Sequence, residues 1–151
     1  MNKDKSLAIK KAFTLAVKNH QEGKTDIAIE LYNQVLKINP KSSSTHYNLG
    51  GLFRGLKENE KAKSYFEKAI EIKPNLANAH YNLGEIFYEL KENEKAKSYF
   101  EKAIVLDPLN KKYMVAYGST LLILYHRLKG YEYLDKVKGV IKFTPMYYKI
   151  I

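Results

Sequence analysis

The sequence predicts an all-α solenoid of antiparallel helix pairs, and three observations carry that prediction. The string LKENEKAKSYFEKAI stands at Leu56–Ile70 and again, unchanged, at Leu90–Ile104, an offset of 34 residues. HYNLG at His46–Gly50 and His80–Gly84 keeps the same offset, as do Pro40, Pro74 and Pro108. Within each unit the apolar positions recur at helical rather than alternating spacing. A fixed period of this size marks a repeat architecture, in which each unit buries its apolar face only against its neighbours.

The units follow in order as 9–42, 43–76 and 77–110. The first is a degenerate copy. Leu15, Ala16, Ala28, Tyr32 and Pro40 fit the pattern, while Asn19 and Val35 stand where the other units have an aromatic residue and an alanine. In the second unit Tyr47, Leu49, Leu52, Phe53 and Leu56 define one helix face, and Ala62, Tyr65, Phe66, Ala69, Ile70 and Ile72 the other. Small Gly50 and Ala62 let the paired helices approach, and Phe53 and Phe66 fill the remaining space. Pro74 ends the second helix, because proline disfavours helical geometry in the residue before it. The third unit repeats this code. Tyr117-Gly118 continues the phase of Leu83-Gly84, which predicts a degenerate fourth unit or cap over 111–143. Its first helix runs from about Lys111 to Lys129, Gly130 breaks it, and a final helix covers Tyr131–Phe143. Pro145 makes the apolar tail 144–151 extended.

At 151 residues the chain reads as one domain. It has no cysteine, so disulfides and thiolate metal sites are excluded. The longest apolar run, Leu121–Tyr125, is far short of a membrane span, and the N-terminus lacks the layout of a signal peptide. The reading is a soluble, cytoplasmic protein. The net charge of +10 is uneven: +4 over 1–42, +2 over 43–76, −2 over 77–110 and +6 over 111–151. Basic ends admit an acidic partner. The basic residues are 24 Lys and only Arg54 and Arg127, however, and phosphate and base recognition favours the bidentate Arg fork, which argues against nucleic acid.

The order Leu-Gly, aromatic, Ala, aromatic, Ala, Pro resembles the tetratricopeptide repeat. Leu49, Gly50, Phe53, Ala62, Phe66, Ala69 and Pro74 match it in one unit, and Leu83, Gly84, Phe87, Ala96, Phe100, Ala103 and Pro108 in the next. The resemblance implies a right-handed superhelical solenoid whose first helices line a concave, peptide-binding groove, without a cofactor. Family groove positions fall on the second, fifth, sixth, ninth, twelfth and thirteenth residues of each unit. They are Lys10, Phe13, Thr14, Val17, His20 and Gln21, then Ser44, Tyr47, Asn48, Gly51, Arg54 and Gly55. Asn78, Tyr81, Asn82, Glu85, Tyr88 and Glu89 follow, and the fourth unit offers Lys112, Val115, Ala116, Ser119, Leu122 and Ile123. Asn48 and Asn82 are expected to form a ladder able to satisfy the backbone of an extended peptide, since an amide both donates and accepts. Tyr47, Tyr81 and Tyr88 are expected to add rigid contact surface. The family's chaperone-carboxylate clamp is incomplete. In one frame Phe13, Val17, Asn78 and Asn82 depart from it and only Asn48 matches. In the other Asn82 and Lys112 match, but Tyr47, Gly51 and Ala116 do not. Tight recognition of a chaperone C-terminus is therefore not expected.

The leading expectation is a protein-interaction module: an adaptor, scaffold or co-chaperone-like protein. The alternative is a self-assembling structural protein, associating through Leu121, Leu122, Leu124, Tyr147 and Tyr148, because an exposed apolar patch of that kind marks an interface. Enzyme readings lack material. No Gly-rich phosphate loop, GxSxG or HExxH is present, and His46 and His80, equivalent positions one repeat apart, have no third metal ligand beside them.

Overall fold

A computed structural model of the chain describes residues 3–124, and the described residues form seven α-helices. The expected final helix 131–143 and tail 144–151, with Tyr147 and Tyr148, lie outside them, as do the last residues of the helix expected to reach Lys129. The chain separates into two compact units, residues 1–79 and 80–151.

The first unit holds α1 (Lys3–Gln21), α2 (Thr25–Ile38), α3 (Ser43–Gly55) and α4 (Asn59–Ile72). α1 begins six residues ahead of the repeat. Nothing in Lys3–Ala8 breaks a helix, and Asp4 in the first turn complements the helix dipole. α3 opens on a side-chain cap: Ser42 Oγ accepts from the Thr45 amide at 3.4 Å and lies 2.7 Å from Thr45 Oγ1.

The turn from α1 to α2 and the turn from α3 to α4 are built alike. Gly23, at φ 72°, and Lys57, at φ 61°, both sit in the left-handed region. The following amide reaches back five residues, Lys24 N–H to Asn19 O and Glu58 N–H to Phe53 O, each at 2.9 Å. This left-handed cap satisfies carbonyls that the helix end would otherwise leave open.

Between α3 and α4 the small-large code works as expected. Gly50 lies against the Phe66 ring so closely that an added Cβ would stand 2.7 Å from Cδ1. Phe53 stacks on Tyr65 with centroids 5.4 Å apart, and Lys61 Nζ covers the Phe53 ring at 5.1 Å. His46 Nε2 lies 2.9 Å from the Pro40 carbonyl, which can only accept, so the ring carries its proton there and ties the α2–α3 turn to α3. Its ring also packs on Tyr65, which makes it a packing residue. Tyr32, Val35, Leu49 and Phe66 are fully buried, and each such side chain contributes about 2–3 kcal/mol relative to exposure.

Leu15 departs from the repeat. It shares its position with Leu49, which is 0% exposed, yet it is 49% exposed. Thr45 and Leu52, on the same face of α3, are buried; their equivalents on α1 are exposed Lys11 and Lys18. The face that α3 packs inward is solvated on α1.

The second unit holds α6 (Asn93–Leu106), α7 (Lys111–Leu124) and α5 (Ala77–Glu89), whose first turn straddles the boundary. Lys91, at φ 63°, makes the third left-handed turn. Gly84 meets the Phe100 ring as Gly50 meets Phe66, with an added Cβ at 2.6 Å. Phe87 stacks on Tyr99 at 5.3 Å under Lys95. α7 buries Tyr113, Tyr117, Thr120 and Leu121. No described helix is long and apolar enough to cross a membrane.

Candidate functional site

Two tight turns fold α5, α6 and α7 back and forth, so α5 and α7 run in the same direction with α6 antiparallel to both. Between them lies a groove of about 670 Å³. Its floor is Phe100 of α6 with Val115 and Ala116 of α7. One wall is α5, with Tyr81, Glu85, Tyr88 and Glu89 following at helical spacing. The other is α7, with Lys111, Lys112 and Ser119.

A polar line crosses the apolar floor. Lys112 Nζ stands 4.3 Å above the centroid of the Tyr81 ring, a favourable cation–π distance. The Tyr81 hydroxyl donates to the Glu85 carboxylate. The Tyr81 ring stacks on Tyr113 at 5.0 Å and packs on Phe100 at 5.6 Å. Tyr81 is therefore only 4% exposed. It was expected to present contact surface; instead it fixes the floor and orients the charged groups on either side. Tyr88, half-buried, presents part of its ring to the groove.

Of the residues expected in the third and fourth repeats, the groove gathers Tyr81, Glu85, Tyr88, Glu89, Lys112, Val115, Ala116 and Ser119. Asn78 and Asn82 do not line it. Sequence reasoning missed Lys111 and Phe100. Phe100 belongs to a second helix, and its signal was the glycine opposite, since Gly84 lets the ring pack against α5 beneath the groove. Leu121 is 4% exposed, so its side chain belongs to the core rather than to an association surface. Leu122 and Leu124 are half-buried, and Ile123 is 55% exposed.

In the first unit Lys10 and Thr14 are exposed, Val17 and Arg54 half-buried, and Gly51 open, with nothing within 4 Å of an added Cβ. Phe13 meets Tyr32 edge-on at 6.0 Å, and Tyr47 packs on Phe66 at 5.7 Å. Burial pushes the Tyr32 phenol above its ordinary pKa, and the neighbouring Asn48 side chain partly opposes that push. Asn82, in the second unit, is half-buried. Among the described residues no group of three or more His, Asp or Glu is placed to hold a metal ion.

Comparison with known proteins agrees with the geometry. A tetratricopeptide repeat model matches residues 42–107 and a TPR repeat model residues 19–56, together more than half of the chain. No curated protein sequence matches. Among solved structures, the chain is similar to MamA, with a TM-score of 0.80 and 22% identity over 87% of this chain and 77% of that one. It is similar to pilF of Pseudomonas aeruginosa, with a TM-score of 0.77 and 24% identity over 95% and 66%. The first TPR of Spaghetti (RPAP3), bound to the HSP90 peptide SRMEEVD, has a TM-score of 0.74 and 22% identity over 79% and 94%. At these identities the likeness establishes the fold, an all-α helical-repeat solenoid. With the 34-residue packing code and both family models in agreement, the chain belongs to the tetratricopeptide repeat family.

Proposed function

We propose that the chain is a protein-interaction module that takes an extended segment of a partner protein into the groove between α5 and α7. The observation that carries this reading is the groove itself: an apolar floor of Phe100, Val115 and Ala116, edged by ionised side chains. Pockets that bind have this form, an apolar lining with a few polar groups that fix orientation. The Lys112–Tyr81–Glu85 line holds its members before any ligand arrives, which lowers the entropy cost of binding. The solved complex of the Spaghetti domain with a peptide supports the same use of the fold.

Filling the floor tests the reading. Ala116 is half-buried and at the groove surface, so Ala116→Phe occupies the groove while leaving the buried core of α7 intact. Partners captured by the wild-type protein are identified by mass spectrometry, and one is titrated against both proteins. The expected result is at least a tenfold loss of affinity, equivalent to about 1.4 kcal/mol, at an unchanged melting temperature. Full retention of affinity would place binding elsewhere.

A further inference from the structure

The charges at the groove run against the helices that carry them. A helix N-terminus favours anionic side chains and a C-terminus cationic ones. α2 follows this rule with Asp26 in its first turn and Lys37 in its last, and α3 carries Arg54 in its last turn, whereas the first turns of α1, α4 and α6 mix both signs and α4 carries Glu71 in its last. α7 instead begins with Lys111 and Lys112, and α5 ends with Glu89, one turn after Glu85. Each inverted charge weakens its own helix. Three of the four differ from the preceding repeats: Ala77 and Ser43 correspond to Lys111, Gly55 to Glu89 and Gly51 to Glu85, while Lys112 has Asn78, Ser44 and Lys10 at its equivalents. Lys111, Lys112, Glu85 and Glu89 all line one groove. Charges that oppose local stability and converge on one cleft are the expected mark of a binding site.

From this we infer that the groove selects a bipolar segment, anionic at one end, cationic at the other and apolar between. The inference rests on the peptide-binding reading above and specifies the chemistry of its ligand. Because α5 and α7 run in the same direction, the start of α7 and the end of α5 lie at opposite ends of the groove. At the basic end Lys111, Lys112 and the positive pole of α7 act together. At the acidic end stands Glu89 with the negative pole of α5, one turn beyond Glu85, which the Tyr81 hydroxyl holds on the Lys112 side. A ligand acid at the first and a ligand base at the second would each relieve an inverted helix end. Lys112 is level with Tyr81, and eight residues separate Tyr81 from Glu89, about 12 Å along the helix. An extended chain covers that span in about four residues. The matching ligand therefore carries an acid and a base four residues apart, with an aliphatic side chain midway that reaches Val115 and Ala116.

Four capped peptides test this on the full-length protein, by fluorescence anisotropy at low salt. All share a central leucine between serines, flanked two positions away by Asp and Lys, two Asp, two Lys, or two Gln. Terminal acetyl and amide groups remove end charges. The wild-type protein is expected to bind the Asp–Lys peptide at least tenfold better than the other three. Glu89→Lys makes both ends basic and should transfer the preference to the two-Asp peptide. The double variant Lys111→Glu/Lys112→Glu makes both ends acidic and should transfer it to the two-Lys peptide. All three residues are exposed, so both variants are expected to fold. If all four peptides bind alike and Ala116→Phe abolishes them all, the groove reading stands and the bipolar inference falls. An unchanged ranking in the two charge variants also overturns the inference. If no peptide binds, the groove reading falls with it.

Discussion

Three equivalent turns offer a test of how this fold treats its own backbone. Gly23, Lys57 and Lys91 stand 34 residues apart and share left-handed geometry, with φ 72°, 61° and 63°. The same five-residue amide bond follows each, so the turns differ mainly in side chain. An L-residue pays roughly 1–2 kcal/mol for this conformation, which glycine adopts freely. Glycine loses more entropy on folding, which returns part of that gain. The net expectation for Lys57→Gly or Lys91→Gly is a stabilisation of about 0.5–1 kcal/mol each. Both lysines are exposed, so little packing is lost. The double variant should gain about 1–2 kcal/mol, a rise in melting temperature of about 3–6 °C for a chain of this size. Gly23→Lys should lose about 1 kcal/mol. Leu56→Gly, one residue earlier at φ −79°, supplies the contrast, because there glycine gains no backbone relief, carries its entropic cost and loses a leucine side chain that is 44% exposed, so it should destabilise. Urea denaturation monitored by circular dichroism reads all five variants. If Lys57→Gly destabilises, or if glycine acts equally at positions 56 and 57, the turn geometry is not what limits stability.

Two further perturbations probe the core. Gly84→Ala would set a Cβ 2.6 Å from Phe100, which is 1% exposed and held under Tyr81. The overpacking cost of about 1–3 kcal/mol exceeds the helix-propensity gain of up to about 1 kcal/mol, so denaturation should show a net loss. Gly51→Ala, with open space around its Cβ, should gain up to about 1 kcal/mol by the same measurement. Tyr32→Phe removes the hydroxyl of a tyrosine that is 1% exposed and should cost about 1 kcal/mol at neutral pH. Burial raises the Tyr32 pKa above its ordinary 10.0, so the folded chain retains a proton that the unfolded chain releases. The tyrosine's contribution is thus fully present below pH 10 and is lost as pH rises through the folded value. The stability gap between wild type and Tyr32→Phe should therefore narrow above that pH, and a constant gap would refute the assigned shift.

What was legible in the sequence divides along the same physical line as what was not. The 34-residue period, the glycine and alanine opposite each aromatic ring and the prolines between pairs prescribe local packing, and each appears in the helices as written. Gly50 against Phe66 and Gly84 against Phe100 are one contact encoded twice. The exposure of Leu15 was not legible from the period, because a repeat pattern assigns equivalent positions the same environment; the lysines at positions 11 and 18 mark that face of α1 as solvated. Tyr81 was misjudged for a related reason. Groove positions were carried over as outward-facing, but whether a side chain faces out depends on the neighbouring element. Tyr81 is drawn inward by Tyr113, where the equivalent positions in earlier repeats are alanine and threonine.

Duplication copies scaffold and charge pattern together, and selection for a ligand then has to act on positions whose change leaves the scaffold standing. The two identical 15-residue segments show how strongly the scaffold is held. Their exposed pairs, Glu58 with Lys61 and Glu92 with Lys95, recur with the same 2.5 Å separation. Such exposed pairs contribute little to stability, so their identity reflects common descent of the segment more than selection on the charge. Glu85, Glu89, Lys111 and Lys112 differ in kind. They lie outside the copied segment, break its charge rule and oppose the dipoles of their helices. Under the bipolar proposal these groove charges choose the ligand, while the copied segments make the fold.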